Sequence, residues 1–426
     1  MRLLYVVLDG APDGFSDKTA LSIAYKPNMD MLASRSLCGL AYILDEGVAP
    51  ESDAAVMSLL GYDPEVYYTG RGPLEALGAG LEFKDGWVAL RANFATIDPS
   101  TLRIVDRRVG RSLSSIEARR LGEAIDGLKL DGGRATAKFK ATIGHRGVLL
   151  ISHEDYRLSG NISNTDPAYE RRGRISVALE SYDPYVKKAV PLDDSIEAKI
   201  SAELVNEYTV KAIEILREHE VNRDRVSRGL PPANAVLLRD AGDRLPPAKP
   251  IRDVYGLNFA SIVEMVVERG IARALGIHDL PVDVEGRPRS EIIHQEAIMA
   301  HRALEQYDAV YVHLKGPDEP GHDGDLEGKV KAIEEIDKHF FGEVLNRIDH
   351  DDTLILVTSD HATPWFKRAH SGDPVPVMLS HGSFRHVNRK FREVDCRNGE
   401  LGVIDKGYKI LRITIDIMNK IDRQEI

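Results

Sequence analysis

Apolar positions have two textures along this chain. In three places they run unbroken and stop on acidic or imidazole side chains: residues 3–9 (LLYVVLD), 309–322 (AVYVHLKGPDEPGH) and 353–361 (TLILVTSDH). A continuous β-branched run bounded by Gly or Pro predicts a strand buried in a parallel sheet. Elsewhere the apolar spacing becomes helical: 27–35, with Asn28 as the expected cap, 52–60, stopped at Gly61, then 261–275, 289–307 and 326–348. A further strand is expected at 375–380 (VPVMLS). Alternation of this kind predicts an α/β fold built on a doubly wound, mainly parallel sheet. From about 72 to 250 the texture changes to short strand-like pieces (WVALRANFATI, GVLLI, AVLLR), turns and one long amphipathic stretch at 195–219. The expected organisation is a core from residues 1–70 and 255–426, interrupted by a smaller inserted α+β domain at 71–254.

In an open α/β sheet, ligands bind beyond the carboxyl ends of the strands. Asp9, Asp318, His322, Asp360 and His361 are therefore expected on one rim. Gly10 lets the chain turn sharply after Asp9. Asp318 and His322 stand four apart, and Pro317 and Pro320 predict a tight loop rather than a helix between them. His370, ahead of the 375–380 strand, closes the set, whereas His313 and His381 are expected to be structural. Mixed carboxylate and imidazole donors suit Mn, Zn, Co or Mg, and these exceed what one ion needs. Two divalent ions are expected. Ser52 opens a helix, a position usually explained as an N-cap. A helix N-terminus also attracts anions, so a metal-activated serine there would be a nucleophile for in-line attack on phosphorus or sulfur.

The length of 426 residues suggests two domains. A net charge of −11 argues against a nucleic-acid protein. Basic clusters do occur between Arg103 and Arg120 and at Arg171, Arg172 and Arg174. Solvated faces explain most such residues, but several arginines together would hold a small, multiply charged anion. No apolar run reaches the roughly 18 residues of a membrane span, and MRLLYVVLDG reads as a first core strand rather than a leader. Cys38 and Cys396 make no disulfide framework and suit a reducing cytoplasm. The partner implied is a small molecule, with no nucleic acid or membrane; a homo-oligomer stays open.

The ordered set of Asp9-Gly10, PESDAA around Ser52, Asp318-x-x-x-His322, Asp360-His361 and AHSGDPVP around His370 resembles the alkaline phosphatase superfamily of binuclear metalloenzymes. Within it the chain is similar to the cofactor-independent phosphoglycerate mutases of the archaeal type, through SDAAVMSLLGYDP, GRGPLEALGAG and ANFATID. The resemblance implies an isomerase that interconverts 3-phosphoglycerate and 2-phosphoglycerate in glycolysis and gluconeogenesis, independently of 2,3-bisphosphoglycerate. It implies that Asp318, His322 and His370 bind one ion and that Asp9, Ser52, Asp360 and His361 bind the other, with manganese expected. Ser52 would become phosphorylated. The insert would hold the phosphoglycerate, and Arg71, Arg91, Arg111, His145, Arg146 and Arg239 are nominated for that role. A metal-dependent phosphatase or phosphodiesterase, or another phosphotransferase, is the alternative on the same core. From a different class, a non-catalytic metal-stabilised module would be expected to have lost at least one ligand, and this chain has kept the set.

Overall fold

The computed structural model describes residues 1–173, 175–179 and 181–425; Arg174, one of the basic residues noted above, lies outside them. Met1–Tyr68 and Ala248–Ile426 form one compact unit, and Thr69–Pro247 forms a second.

Among the described residues, the first unit carries an eight-stranded sheet. Its order is His278–Pro281, Phe259–Val263, Ala309–Leu314, Arg2–Leu8, Thr353–Thr358, Val375–Ser380, Ser36–Ala41 and Gly402–Ile404. Pairing is parallel except on the two sides of Val375–Ser380. The apolar run from Leu3 to Leu8 is buried on both faces, which is why no polar alternation marks it. Register sets Leu8 beside Leu314 and Val7 beside Thr358. The residues that leave these three strands therefore emerge side by side.

Four local expectations need correcting. The stretch 261–275 is not one helix: Phe259–Val263 is a strand paired with Ala309–Leu314, and the helix is Val266–Ala274. A short apolar run reads equally as buried strand or buried helix, and a vacant neighbour in the sheet decides it. Asn28 is no cap but lies inside the helix Pro27–Ala33. The N-terminal amides of Asn28 and Met29 instead donate to the Asp337 carboxylate, at 3.2 and 2.7 Å. Asp337 opens a π-type turn that divides the expected 326–348 helix into Leu326–Ile336 and Gly342–Val344. Finally, Asp318–Asp323 is a short helix after all. Pro317 caps it and Pro320 lies in its first turn, where a missing N–H breaks no helical bond.

The second unit is built on an antiparallel sheet ordered Ala235–Gly242, Val88–Asp98, Arg146–His153, Ala135–Ala141 and Leu128–Leu130, with Arg103–Asp106 paired to Val88–Asp98. Helix Ile196–Arg217, capped by the Ser195 hydroxyl, covers one face through Ala202, Val205, Tyr208 and Leu216 against Leu90, Phe94 and Leu149. Period-two alternation sends Ala89, Arg91 and Asn93 to the opposite face. Helix Arg71–Gly78 packs there, closely enough that a Cβ on Gly72 would lie 2.1 Å from the Ala89 carbonyl oxygen. Among the described residues, no helix is long and apolar enough to cross a membrane.

Candidate metal centre and anion site

At the carboxyl ends of its strands the first unit gathers two groups of potential metal ligands, each with donor atoms within 4.8 Å of one another: Asp9, His313 and Asp360, and Asp318, His361 and His370. Asp9 follows Arg2–Leu8, and Asp360 and His361 follow Thr353–Thr358. His322 joins the second group with Nε2 at 3.5 Å from Asp318 Oδ1, as far as His370 Nε2 is from the same oxygen. His361 lies between the groups. Its Nε2 is 3.4 Å from Asp9 Oδ1 and 3.1 Å from Asp360 Oδ2, while its ring stacks on His370 at 3.6 Å between centroids.

The other ring nitrogens are held from behind. His370 Nδ1 meets the Pro50 carbonyl at 2.8 Å, and His322 Nδ1 meets the Arg368 carbonyl at 3.3 Å. A carbonyl only accepts, so each ring carries an N–H at Nδ1 and turns Nε2 towards Asp318. The Pro50 contact also ties down the turn that leads to Ser52. Ser52 is the first residue of helix Ser52–Leu59, and Glu51, not Ser52, is its N-cap.

His313 was expected to be structural, yet it stands inside the Asp9 group. Its Nε2 is 3.4 Å from Asp360 Oδ2 and its Nδ1 is 3.3 Å from Glu268 Oε1. Glu268 is buried at the start of helix Val266–Ala274 and also binds Lys315, whose ammonium lies 3.0 Å from Asp9 Oδ2. Burial pushes the Asp9 carboxyl up to about 6 against the pull of Lys315. Burial also opposes ionisation of Asp360, but His361 and His313 hold it well below the usual carboxylate range. By contrast His381 bonds Ser383 and the Asp351 carbonyl, away from both groups.

Asp9 Oδ1, Asp360 Oδ2, His313 Nε2 and His361 Nε2 are buried and make no hydrogen bond. Buried donors and acceptors without hydrogen bonds are satisfied when a cation, a proton or a metal ion, lies among them. Carboxylate oxygen with imidazole nitrogen is a donor set that Mn, Co and Zn accept. The residues fit divalent metal.

The second unit gathers the opposite charge. Arg239 pairs directly with Arg91 across the ladder, and Arg146 pairs with Asn93 on the same face. Like charges opposite each other destabilise a sheet. Three acids offset part of the repulsion: Glu75 lies 2.9 Å from Arg71 and 3.8 Å from Arg91, fully buried Asp166 binds Arg107 and lies 3.4 Å from Arg239, and Asp240 also lies 3.4 Å from Arg239. The Arg239 guanidinium stacks 3.9 Å from the Tyr169 ring centroid. Burial, with Arg71 and Arg239 nearby, pushes Arg91 down to about 9. Burial, with Arg146, Arg108, Arg91 and Arg111 around it, pushes His145 down to about 4. Asn93 Oδ1 is buried there without a partner. Of the nominated residues, Arg71, Arg91, Arg146 and Arg239 form the cluster, His145 borders it, and Arg111 is exposed in a short turn. Glu75, Asn93, Asp166, Glu268 and Lys315 escaped the sequence reading, and Arg107 was noted only as part of the basic cluster between Arg103 and Arg120. One signal was available: a titratable residue inside an apolar strand, as at His313, needs a partner.

Residues 33–222 match the family model of the 2,3-bisphosphoglycerate-independent phosphoglycerate mutases. The protein of that name from Aeropyrum pernix is 56% identical to this chain, over 98% of this chain and 100% of its own length. The one from Methanopyrus kandleri is 38% identical, over 99% and 97%. Among solved structures, a protein from Pyrococcus horikoshii matches with a TM-score of 0.78 at 29% identity, covering 98% of this chain and 97% of its own. The cofactor-independent phosphoglycerate mutase from Thermoplasma acidophilum matches with a TM-score of 0.64 at 29% identity, covering 98% and 99%. On this full-length likeness, the chain belongs to the 2,3-bisphosphoglycerate-independent phosphoglycerate mutase family.

Proposed function

We propose that the chain interconverts 3-phosphoglycerate and 2-phosphoglycerate through a phosphoserine on Ser52, without bisphosphoglycerate, as a step of glycolysis and gluconeogenesis. The observation that carries this reading is the set of unpartnered Asp and His lone pairs at the strand ends, in a chain that belongs to the mutase family. Asp318, His322 and His370 would hold one divalent ion, and Asp9, Ser52, Asp360 and His361 the other, with His313 behind Asp360. Manganese is proposed first, with cobalt, magnesium and zinc as alternatives. Such ions supply Lewis-acid stabilisation of the phosphoryl oxygens and favour ionisation of a nearby hydroxyl.

In the first half-reaction Ser52 Oγ gives up its proton and attacks phosphorus in line, the bond from phosphorus to the C3 oxygen breaks, and that oxygen takes up a proton to give glycerate. In the second, the C2 hydroxyl loses its proton and attacks the phosphoserine, the Ser52 Oγ–P bond breaks, and Ser52 Oγ takes up a proton again. Two inversions at phosphorus give net retention. Free amides at the start of helix Ser52–Leu59 favour the negative charge that gathers at Ser52. In the insert, Arg71, Arg91, Arg146 and Arg239 would bind the carboxylate and phosphate oxygens, with His145 and Arg111 at the margin. Asn93 Oδ1 has an acceptor to offer a substrate hydroxyl. The reducing cytoplasm is the proposed compartment, which suits the free, buried thiols of Cys38 and Cys396.

Metal-stripped protein reloaded with Mn and given 3-phosphoglycerate should form 2-phosphoglycerate, with little free phosphate, and excess chelator should stop it. Glycerate and free phosphate as the main products would instead make the chain a phosphatase. Full turnover in chelator would remove the metal from the scheme.

A further inference from the structure

We propose that Thr363 is a positioning residue that fixes which nitrogen of His361 faces the Asp9 group and joins the two ligand groups into one unit. The proposal rests on the two-ion reading above. Thr363 is fully buried. Its hydroxyl donates to Asp318 Oδ1 at 2.7 Å and lies 3.0 Å from His361 Nδ1. An ionised carboxylate can only accept, so the one hydroxyl proton is committed to Asp318. Towards His361 the Thr363 oxygen is then an acceptor, and Nδ1 must carry the ring's N–H. In the neutral ring that a metal ligand requires, the lone pair falls on Nε2. That atom is the buried one without a hydrogen bond, 3.1 Å from Asp360 Oδ2 and 3.4 Å from Asp9 Oδ1. His361 is thereby assigned to the Asp9–Asp360 group, although its ring stacks on His370.

The hydroxyl is held in that orientation from several sides. The Thr363 amide donates to the Pro12 carbonyl at 3.0 Å, and its carbonyl accepts from Lys329 Nζ at 2.7 Å. Lys329 is itself locked in a fully buried ion pair with Asp13 at 2.6 Å. Two glycines wall the side chain in. A Cβ on Gly10, where φ is +61°, would lie 2.7 Å from Thr363 Oγ1, and one on Gly321 would lie 2.9 Å from its Cγ2. A single hydroxyl thus connects Asp318, which serves one ion, to His361, which serves the other.

The test compares Thr363→Val, which removes the hydroxyl at nearly constant shape, with Thr363→Ser, which keeps it. Mn binding is titrated calorimetrically into the metal-stripped full chain, alongside the melting temperature of the stripped protein and kcat and KM for 3-phosphoglycerate. Loss of a residue that orients a metal ligand weakens affinity or activity by about 10–100-fold. Thr363→Val should weaken at least one Mn site by about that factor and lower kcat, leaving KM within about twofold and the melting temperature of the stripped protein near wild type. Thr363→Ser should recover both affinity and kcat to within about threefold. Wild-type Mn binding in Thr363→Val, a Thr363→Ser protein as impaired as Thr363→Val, or collapse of stripped Thr363→Val would each overturn the proposal. Wild-type protein that takes up no Mn would overturn the two-ion reading itself, and this proposal with it.

Discussion

In the core unit, Asp9, Asp360 and His361 turn lone pairs towards one another; in the insert, Arg91 and Arg239 set guanidinium groups opposite each other across a sheet ladder. Each arrangement raises the energy of the protein alone, and each is offset only in part from within. Lys315 stands beside Asp9, and Glu75 and Asp166 stand among the arginines. What differs is the sign of the charge still wanted and the scaffold that holds the charges. The core places its donors at the ends of strands buried on both faces, where a cation can be gripped by converging atoms. The insert spreads its cations along one face of an antiparallel sheet, beside helix Arg71–Gly78, which suits an extended anion with charge at both ends. A site that strains its own electrostatics names its ligand by the charge it is short of.

Separating the two roles by mutation gives the largest effect at Ser52. Ser52→Ala should lower kcat by at least about 10⁴-fold, the scale on which loss of a covalent nucleophile is felt. Glu51 rather than Ser52 caps the helix, so the melting temperature should hardly move. Appreciable turnover in this variant, measured by a coupled assay free of bisphosphoglycerate, would take the covalent step away from the core. A smaller effect is expected from Arg91→Met. Loss of a charge-assisted contact should raise KM for 3-phosphoglycerate by about 10–100-fold, with Mn affinity unchanged. A variant that lost Mn and kept its KM would erase the division of labour between the units.

The smallest effect concerns stability. Burial works against ionisation of Glu117 in the insert, but Ser114, Arg228 and Arg225 hold its carboxyl down at about 2. An unfolded glutamate titrates near 4.3. The stabilisation is therefore complete above about pH 4.3 and declines as the pH falls towards about 2, because the unfolded chain takes up the proton first. Urea unfolding between pH 5 and 3 should show a steeper loss for wild type than for Glu117→Gln. Equal slopes would mean that this ion pair does not tune the insert.

The sheet and its ligand rim were legible because strands buried on both faces leave unbroken apolar runs, and because acidic or imidazole residues at their ends have few structural reasons to be there. Asp9 and Asp360-His361 stood out on that ground alone. The strand Phe259–Val263 did not, since FASIV carries no period to separate strand from helix. Asn28 misled because its helix is capped by a carboxylate distant in the chain, Asp337, and local sequence holds no sign of it. Pro320 misled because a proline breaks a helix in its middle but not in its first turn. Glu268 and Thr363 were silent for a related reason. Each sits in a local pattern that already explains it, a helix start and a polar turn, and its second role appears only where distant segments meet. Among the arginines, the sequence nominated Arg71, Arg91, Arg111, Arg146 and Arg239, and the ladder register puts Arg91, Arg146 and Arg239 on one face, whereas Arg111 is exposed in a short turn.

The strand Arg2–Leu8 is synthesised long before both of its neighbours, Ala309–Leu314 and Thr353–Thr358. At about 5–20 residues per second of synthesis, a strand with both edges unsatisfied waits on the order of tens of seconds before residue 3 can pair with residue 309. The inserted unit, Thr69–Pro247, is fully made within that interval and can reach its own fold first. The waiting segment, LLYVVL, is apolar, uncharged and free of proline, which is the composition that recruits other chains into mixed sheets. Placing the central strand so far ahead of both of its partners thus makes yield in the cell depend on how that hexapeptide is shielded during translation, whatever the stability of the finished enzyme.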